Sequence, residues 1–111
     1  VGNDAAIFAT LISGGKGAVA ATANVAPALL VGLYNAVKSG DIDKARELQY
    51  KLFPIRNAFG LGTFPVVVKE AMNMMGLPAG PARKPVQRLS SEKRQELAEI
   101  LSNAGLLRRE K

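Results

Sequence analysis

Few side chains in this chain are equipped for chemistry. Asn3 and Asp4 follow Gly2 at its start, Lys16 follows a pair of glycines, and Asn24 stands near the end of a run of small residues, "GGKGAVAATANVAP". Further on come Lys69 and the methionines Met72, Met74 and Met75. Cysteine and histidine are both absent, which excludes a thiol nucleophile, a disulfide framework, a zinc site of the usual kind and any His-based triad. Clustered methionines suit a soft metal, but thioethers more commonly fill irregular gaps in a core, and core packing is the reading adopted for these three. Asp4 and Asn24 have plain structural uses as well, the first as a helix cap and the second as a turn former.

With 111 residues the chain is long enough for one small domain with a modest core, without being shown to be a complete one. Its net charge of +6 and pI near 10.0 raise the question of nucleic acid. From Arg83 onward there are eight basic residues against four acidic ones. The acids are interleaved in "SEKRQELAEIL", the tail lacks aromatic residues, and no zinc-finger, RNP or basic-zipper pattern is present. A solvated helix face accounts for this charge, and no nucleic-acid partner is expected. No signal-peptide pattern opens the chain, and the one long uncharged stretch is interrupted by glycine and lysine. A soluble, cytoplasmic protein without a membrane partner is the expectation.

The elements that must position these residues are set off by turn residues. Asp4 is placed to cap a helix over Ala5–Ser13 that Gly14 and Gly15 end. Gly17–Ala23 reads as a short buried strand, although alanine is a poor strand former. Pro27 fits the first turn of a second helix, with Leu29, Leu30, Leu33, Tyr34 and Val37 on one face. Asp41 is placed to cap a third, where Ala45, Leu48, Leu52, Ile55 and Phe59 keep helical rhythm and Pro54 introduces a kink. Thr63 and Pro65 set up the helix "VVVKEAMNMMG"; Ser90 caps the last one, striped by Leu97, Ile100, Leu101 and Ala104. No internal repeat is present. A lone buried strand is a physical difficulty, because its donors and acceptors need partners on both sides. Either a few residues before Gly2 are the stub of a second strand, or further strands come from sequence outside this chain.

Taken in order, "GND" followed by a helix, "GGKGAVAATANVAP", "SGDIDKARELQYKLFPI" and "FPVVVKEAMNMMGL" resemble the C-terminal part of the dihydrodipicolinate synthase and N-acetylneuraminate lyase family. These are pyruvate-dependent class I aldolases built on a (β/α)8 TIM barrel. The resemblance implies an α/β fold class, with the chain supplying the end of strand seven, helix seven, strand eight and helix eight over residues 1–39 and a helical extension over 40–111. The lone chain would be mostly helical. Small residues in the eighth strand would leave room for a bound ketoacid, since catalytic groups of such barrels sit at the C-terminal ends of strands.

By the same resemblance, Gly2, Asn3 and Asp4 match the loop after strand seven that faces the distal part of the substrate. Val19 matches the aliphatic residue whose backbone lies near the Schiff-base carbon, and Asn24 the asparagine beyond strand eight. The structural alternatives are a turn glycine, a cap, a core valine and a turn former. The family's Schiff-base lysine, its proton-shuttling tyrosine and its carboxylate-binding threonines lie on earlier strands, so no catalytic residue is expected in this chain. Lys16 would precede its strand, at the wrong end of a barrel for catalysis, and Lys69 would lie in the extension. Where the family often has Asn-Pro, this chain has Phe64-Pro65. The implied partners are pyruvate or a related 2-keto acid, an aldehyde, the N-terminal barrel portion and further copies in a homo-oligomer, with no dissociable cofactor and no metal. A noncatalytic helical interaction module with a basic tail is the rival expectation, and a barrel piece that self-associates through strand edges is a third.

Overall fold

The computed structural model of the chain describes residues 1–107; Arg108, Arg109 and Lys111, which contribute to the basic tail noted above, lie outside the described residues. Five α-helices occur among the described residues: α1 (Ile7–Ile12), α2 (Pro27–Lys38), α3 (Ile42–Ala58), α4 (Val66–Met74) and α5 (Ser91–Asn103). Short 3-10 turns stand at Asp4–Ala6, Ala21–Asn24 and Phe59–Leu61. The residues group into two compact units, one running from Val1 to Arg56 and the other starting at Asn57. No helix among the described residues is long and apolar enough to cross a membrane.

In the first unit, Ile7 and Leu11 of α1, Leu33 and Ala36 of α2, and Ala45 and Leu52 of α3 form one buried core. Partly buried Leu29, Leu30, Val37 and Leu48 pack against it. This is the face that the spacing predicts on α2 and α3, with one departure: Tyr34 is 37% exposed. Pro27 occupies the first turn of α2, where its missing N–H would have had no helical partner in any case. Asp41 caps α3, its Oδ1 accepting the Lys44 N–H at 3.1 Å. At the end of α1, Gly14 has φ +98°, and a Cβ on Gly15 would lie 2.8 Å from the Thr10 carbonyl oxygen. Only glycine fits that close approach.

The buried strand expected over Gly17–Ala23 does not form. Gly17, Ala18 and Val19 are exposed, and the chain turns into a 3-10 helix from Ala21. What remains of the strand is a single step of pairing: the Val1 nitrogen donates to the Gly17 carbonyl at 3.0 Å, and the Val19 N–H donates to the Val1 carbonyl at 2.9 Å. One residue bonding the residues on either side of its neighbour is the parallel-ladder pattern. A strand is defined by a repeated ladder with flanking partners, and one such step does not satisfy a buried backbone.

In the second unit, Val66, Val67, Val68 and Ala71 of α4 are buried, as are Leu97 and Leu101 of α5. Ser90 caps α5 by accepting the Lys93 N–H at 3.2 Å. Pro65 stands at the N-cap of α4 without a side-chain cap bond, and Thr63 takes part through its backbone carbonyl, which accepts the Val66 N–H at 2.9 Å. Glu70 joins α4 to α5: it pairs with Arg94 at 3.2 Å and accepts the Leu89 N–H at 3.1 Å. Asn73 pins the proline-rich connection, accepting from Ala79 and Gly80 and donating to the Gly80 carbonyl. Met72, Met74 and Met75 are half-buried rather than central to the core.

Candidate functional site

The residues singled out at the start of the chain converge on a small polar network in the first unit. Asn3 caps the 3-10 turn that follows it, its Oδ1 accepting the Ala5 N–H at 3.0 Å. Asp4 therefore is not the cap the sequence led us to expect. Its side chain turns inward, is 7% exposed, and accepts the Thr22 N–H on Oδ2 at 2.8 Å. That bond ties the loop beginning at Gly2 to the 3-10 turn at Ala21–Asn24. A cap of a short surface turn needs only a polar group facing water, whereas the Thr22 amide is buried and must find an acceptor within the protein.

Gly2 and Asn3 are exposed, as is Val19 at 86%, which removes the reading of Val19 as a core residue of this chain. The pairing of Val1 with Gly17 and Val19 sets Val19 beside the loop that carries Gly2 and Asn3. Asn24 serves its own turn, donating from Nδ2 to the Ala21 carbonyl at 3.1 Å. The two lysines named above are elsewhere. Lys16 is exposed just before Gly17, and Lys69 donates from Nζ to the Ala79 carbonyl at 3.0 Å in the second unit.

Gln49 was not anticipated from the sequence. It is 4% exposed on α3, donates from Nε2 to the Asp4 carbonyl at 3.0 Å and accepts the Phe8 N–H on Oε1 at 2.8 Å. Its signal was present in the spacing, since Gln49 falls four residues after Ala45 and three before Leu52, on the apolar stripe itself. A polar residue at such a position must be bonded once buried. One group in the network is not: Thr22 Oγ1 is buried with no hydrogen-bond partner. An unsatisfied buried hydroxyl costs about 1–3 kcal/mol. Thr22→Val keeps the shape and removes the hydroxyl, so it should raise stability in urea by about 1 kcal/mol; a lowered midpoint would contradict the assignment.

Beside this network an apolar hollow of about 300 Å³ is lined by Ile7, Leu11, Ala18, Ala20, Leu30 and Tyr34, among others. Small residues beside a parallel pairing, helices before and after it, and an open apolar flank are features of βα units in a barrel. Solved structures that superpose on the chain are TIM barrels. One is the dihydrodipicolinate synthase of Thermotoga maritima, 36% identical with a TM-score of 0.87 over 96% of this chain and 36% of that one. Another is YagE, a prophage protein of the dihydrodipicolinic acid synthase family from E. coli K12 solved in complex with pyruvate, 33% identical with a TM-score of 0.86 over 95% of this chain and 36% of that one. Among curated relatives, the 4-hydroxy-tetrahydrodipicolinate synthase of Methanocaldococcus jannaschii is 42% identical over 106 residues, 96% of this chain and 37% of the relative. The model of the dihydrodipicolinate synthetase family matches residues 1–104. The chain belongs to that family, and it spans little more than a third of the length of the relatives it matches.

Proposed function

We propose that this chain is the C-terminal portion of a Schiff-base lyase of the dihydrodipicolinate synthase type, acting on pyruvate or a related 2-keto acid and an aldehyde. The observation that carries this reading is the family match over residues 1–104, joined to the pairing of Val1 with Gly17 and Val19. On this reading α1 and α2 are the seventh and eighth barrel helices, Gly17–Val19 belongs to the eighth strand, and the residues from 40 onward form the helical extension. The rest of the barrel covers the exposed Val19 and Val31 and the apolar hollow lined by Ala18, Ala20 and Leu30. The intact enzyme is a cytoplasmic homo-oligomer that uses no dissociable cofactor.

The chemistry belongs to a lysine on the preceding strands. Its amine adds to the C2 carbonyl of pyruvate and water leaves, giving an iminium; loss of a C3 proton gives an enamine that attacks the aldehyde carbon. This chain contributes the wall facing the second substrate. Gly2 and Asn3 line the distal end, Asp4 supports that loop from within through its bond to the Thr22 N–H, and Val19 presents backbone near the Schiff-base carbon. With Asn3 Oδ1 occupied by the Ala5 N–H, the amide NH2 is the part of that side chain left to donate to a substrate oxygen.

A chimera in which this chain replaces the matching segment of the M. jannaschii synthase tests the proposal: it should form a borohydride-trappable Schiff base with pyruvate and condense it with the parent's aldehyde. In that chimera Asn3→Asp keeps the cap acceptor and loses the NH2 donors. It should weaken use of the aldehyde by about 1 kcal/mol, near fivefold in kcat/KM, with pyruvate binding unchanged. Loss of pyruvate binding with aldehyde preference intact would contradict the placement of Asn3.

A further inference from the structure

The two groups that Gln49 joins are a matched pair. The Asp4 carbonyl and the Phe8 N–H are four residues apart, the separation that one turn of α-helix bonds directly. Here the Gln49 amide receives one end and gives to the other, at 2.8 and 3.0 Å. A side chain inserted into the ladder in this way is a recognised cause of a change in helix direction. Gln49 is inserted where the 3-10 turn Asp4–Ala6 passes into α1, at Ala6 with φ −108° and ψ 11°. Asp4 then passes the constraint on, because its side chain holds the Thr22 N–H at 2.8 Å. A single amide on α3 is thus linked through Asp4 to the turn at Ala21–Asn24.

We infer that Gln49 is a positioning residue: from α3, through Asp4, it sets the geometry of the wall that meets the aldehyde and thereby the enzyme's use of its second substrate. This rests on the aldolase reading above for its catalytic consequence, and on the hydrogen bonds alone for its structural one. The side chain is Gln rather than Glu or Lys because the site presents one acceptor and one donor, and a neutral amide satisfies both at once.

Two measurements separate the parts. In the chain itself, Gln49→Met fills similar volume without either bond, and amide exchange at Thr22, whose N–H is bonded to Asp4 rather than to Gln49, should accelerate about tenfold by the linkage through Asp4. Unchanged exchange at Thr22 would overturn the relay whatever the enzyme does. In the chimera, Gln49→Met should raise KM for the parent synthase's aldehyde about tenfold while KM for pyruvate stays within about twofold. A purely structural role would lower the active fraction and leave both KM values alone, and that result, or equal losses for both substrates, would overturn the inference. Should Gln49→Met fail to fold, Gln49→Glu retains the acceptor for Phe8 and decides the matter by the same split between substrates. An unsubstituted chimera that traps no pyruvate would instead count against the aldolase reading, with the Thr22 exchange result left to judge the relay.

Discussion

Incubated by itself with pyruvate and borohydride, the chain should carry no reduced pyruvyl adduct. Schiff-base catalysis needs an amine held out of water and beside the bound carbonyl, in a site that also orients the ketoacid. Lys16 is exposed, in the loop between α1 and Gly17, and on the barrel reading it enters the strand at the end away from the chemistry. Lys69 spends a hydrogen bond on the Ala79 carbonyl and stands among Glu70, Asn73 and Arg88 in the second unit. Lys16 borders a hollow of about 220 Å³ and Lys69 one of about 330 Å³, and on the barrel reading neither hollow is the ketoacid site. Mass analysis of the borohydride-treated chain checks this directly, and a stoichiometric adduct on Lys16 or Lys69 would show the site to be misplaced.

The largest expected effect on stability is at Leu52. It is 1% exposed and belongs to the core that joins α1, α2 and α3 through Ile7, Leu11, Leu33, Ala36 and Ala45. Cutting a fully buried leucine to alanine removes its transfer free energy and leaves a cavity, about 2–5 kcal/mol together. Small domains are stable by only about 5–15 kcal/mol, so Leu52→Ala should shift most of the first unit's urea transition to lower concentration. Val31→Ala, at 58% exposure, should move it by less than about 0.5 kcal/mol in the lone chain. Equal shifts for the two variants would contradict the packing described. Leu52 lies three residues from Gln49 on α3, so the same core that stabilises the unit also holds the amide that grips Asp4.

The helices were legible because their signals are local. Pro27, Asp41 and Ser90 mark starts by chemistry that acts within one turn, and Gly14, Gly76 and Gly105 mark ends with φ of +98°, +85° and +77°. The apolar stripes on α2, α3 and α5 follow from helical spacing, and Tyr34 departs because it borders the open hollow shared with Ala18, Ala20 and Leu30, with the Lys38 ammonium 5.5 Å from its ring. The strand was not legible in the same sense. Gly17–Ala23 has the composition of a buried strand, but strand structure depends on neighbours, and here a single pairing step with Val1 is made. Asp4 reads as a cap because capping is the commonest use of an aspartate before a helix. Its partner Thr22 is eighteen residues away, and no local rule brings the two together. Gln49 is harder to read from sequence because polar residues within an amphipathic pattern are ordinarily assigned to the solvent face, although its spacing from Ala45 and Leu52 points inward.

The family is fixed by the match over residues 1–104, and the proposed catalytic role rests on this chain completing a barrel whose lysine lies on other strands. Peptide mapping of the chimera with the M. jannaschii synthase, after pyruvate and borohydride, tests it most directly. The account predicts one reduced adduct per chain, on a lysine in the part that precedes this sequence, and none when this sequence is left out and the barrel is open. No adduct in a chimera that folds, or an adduct mapped to Lys16 or Lys69, would contradict it.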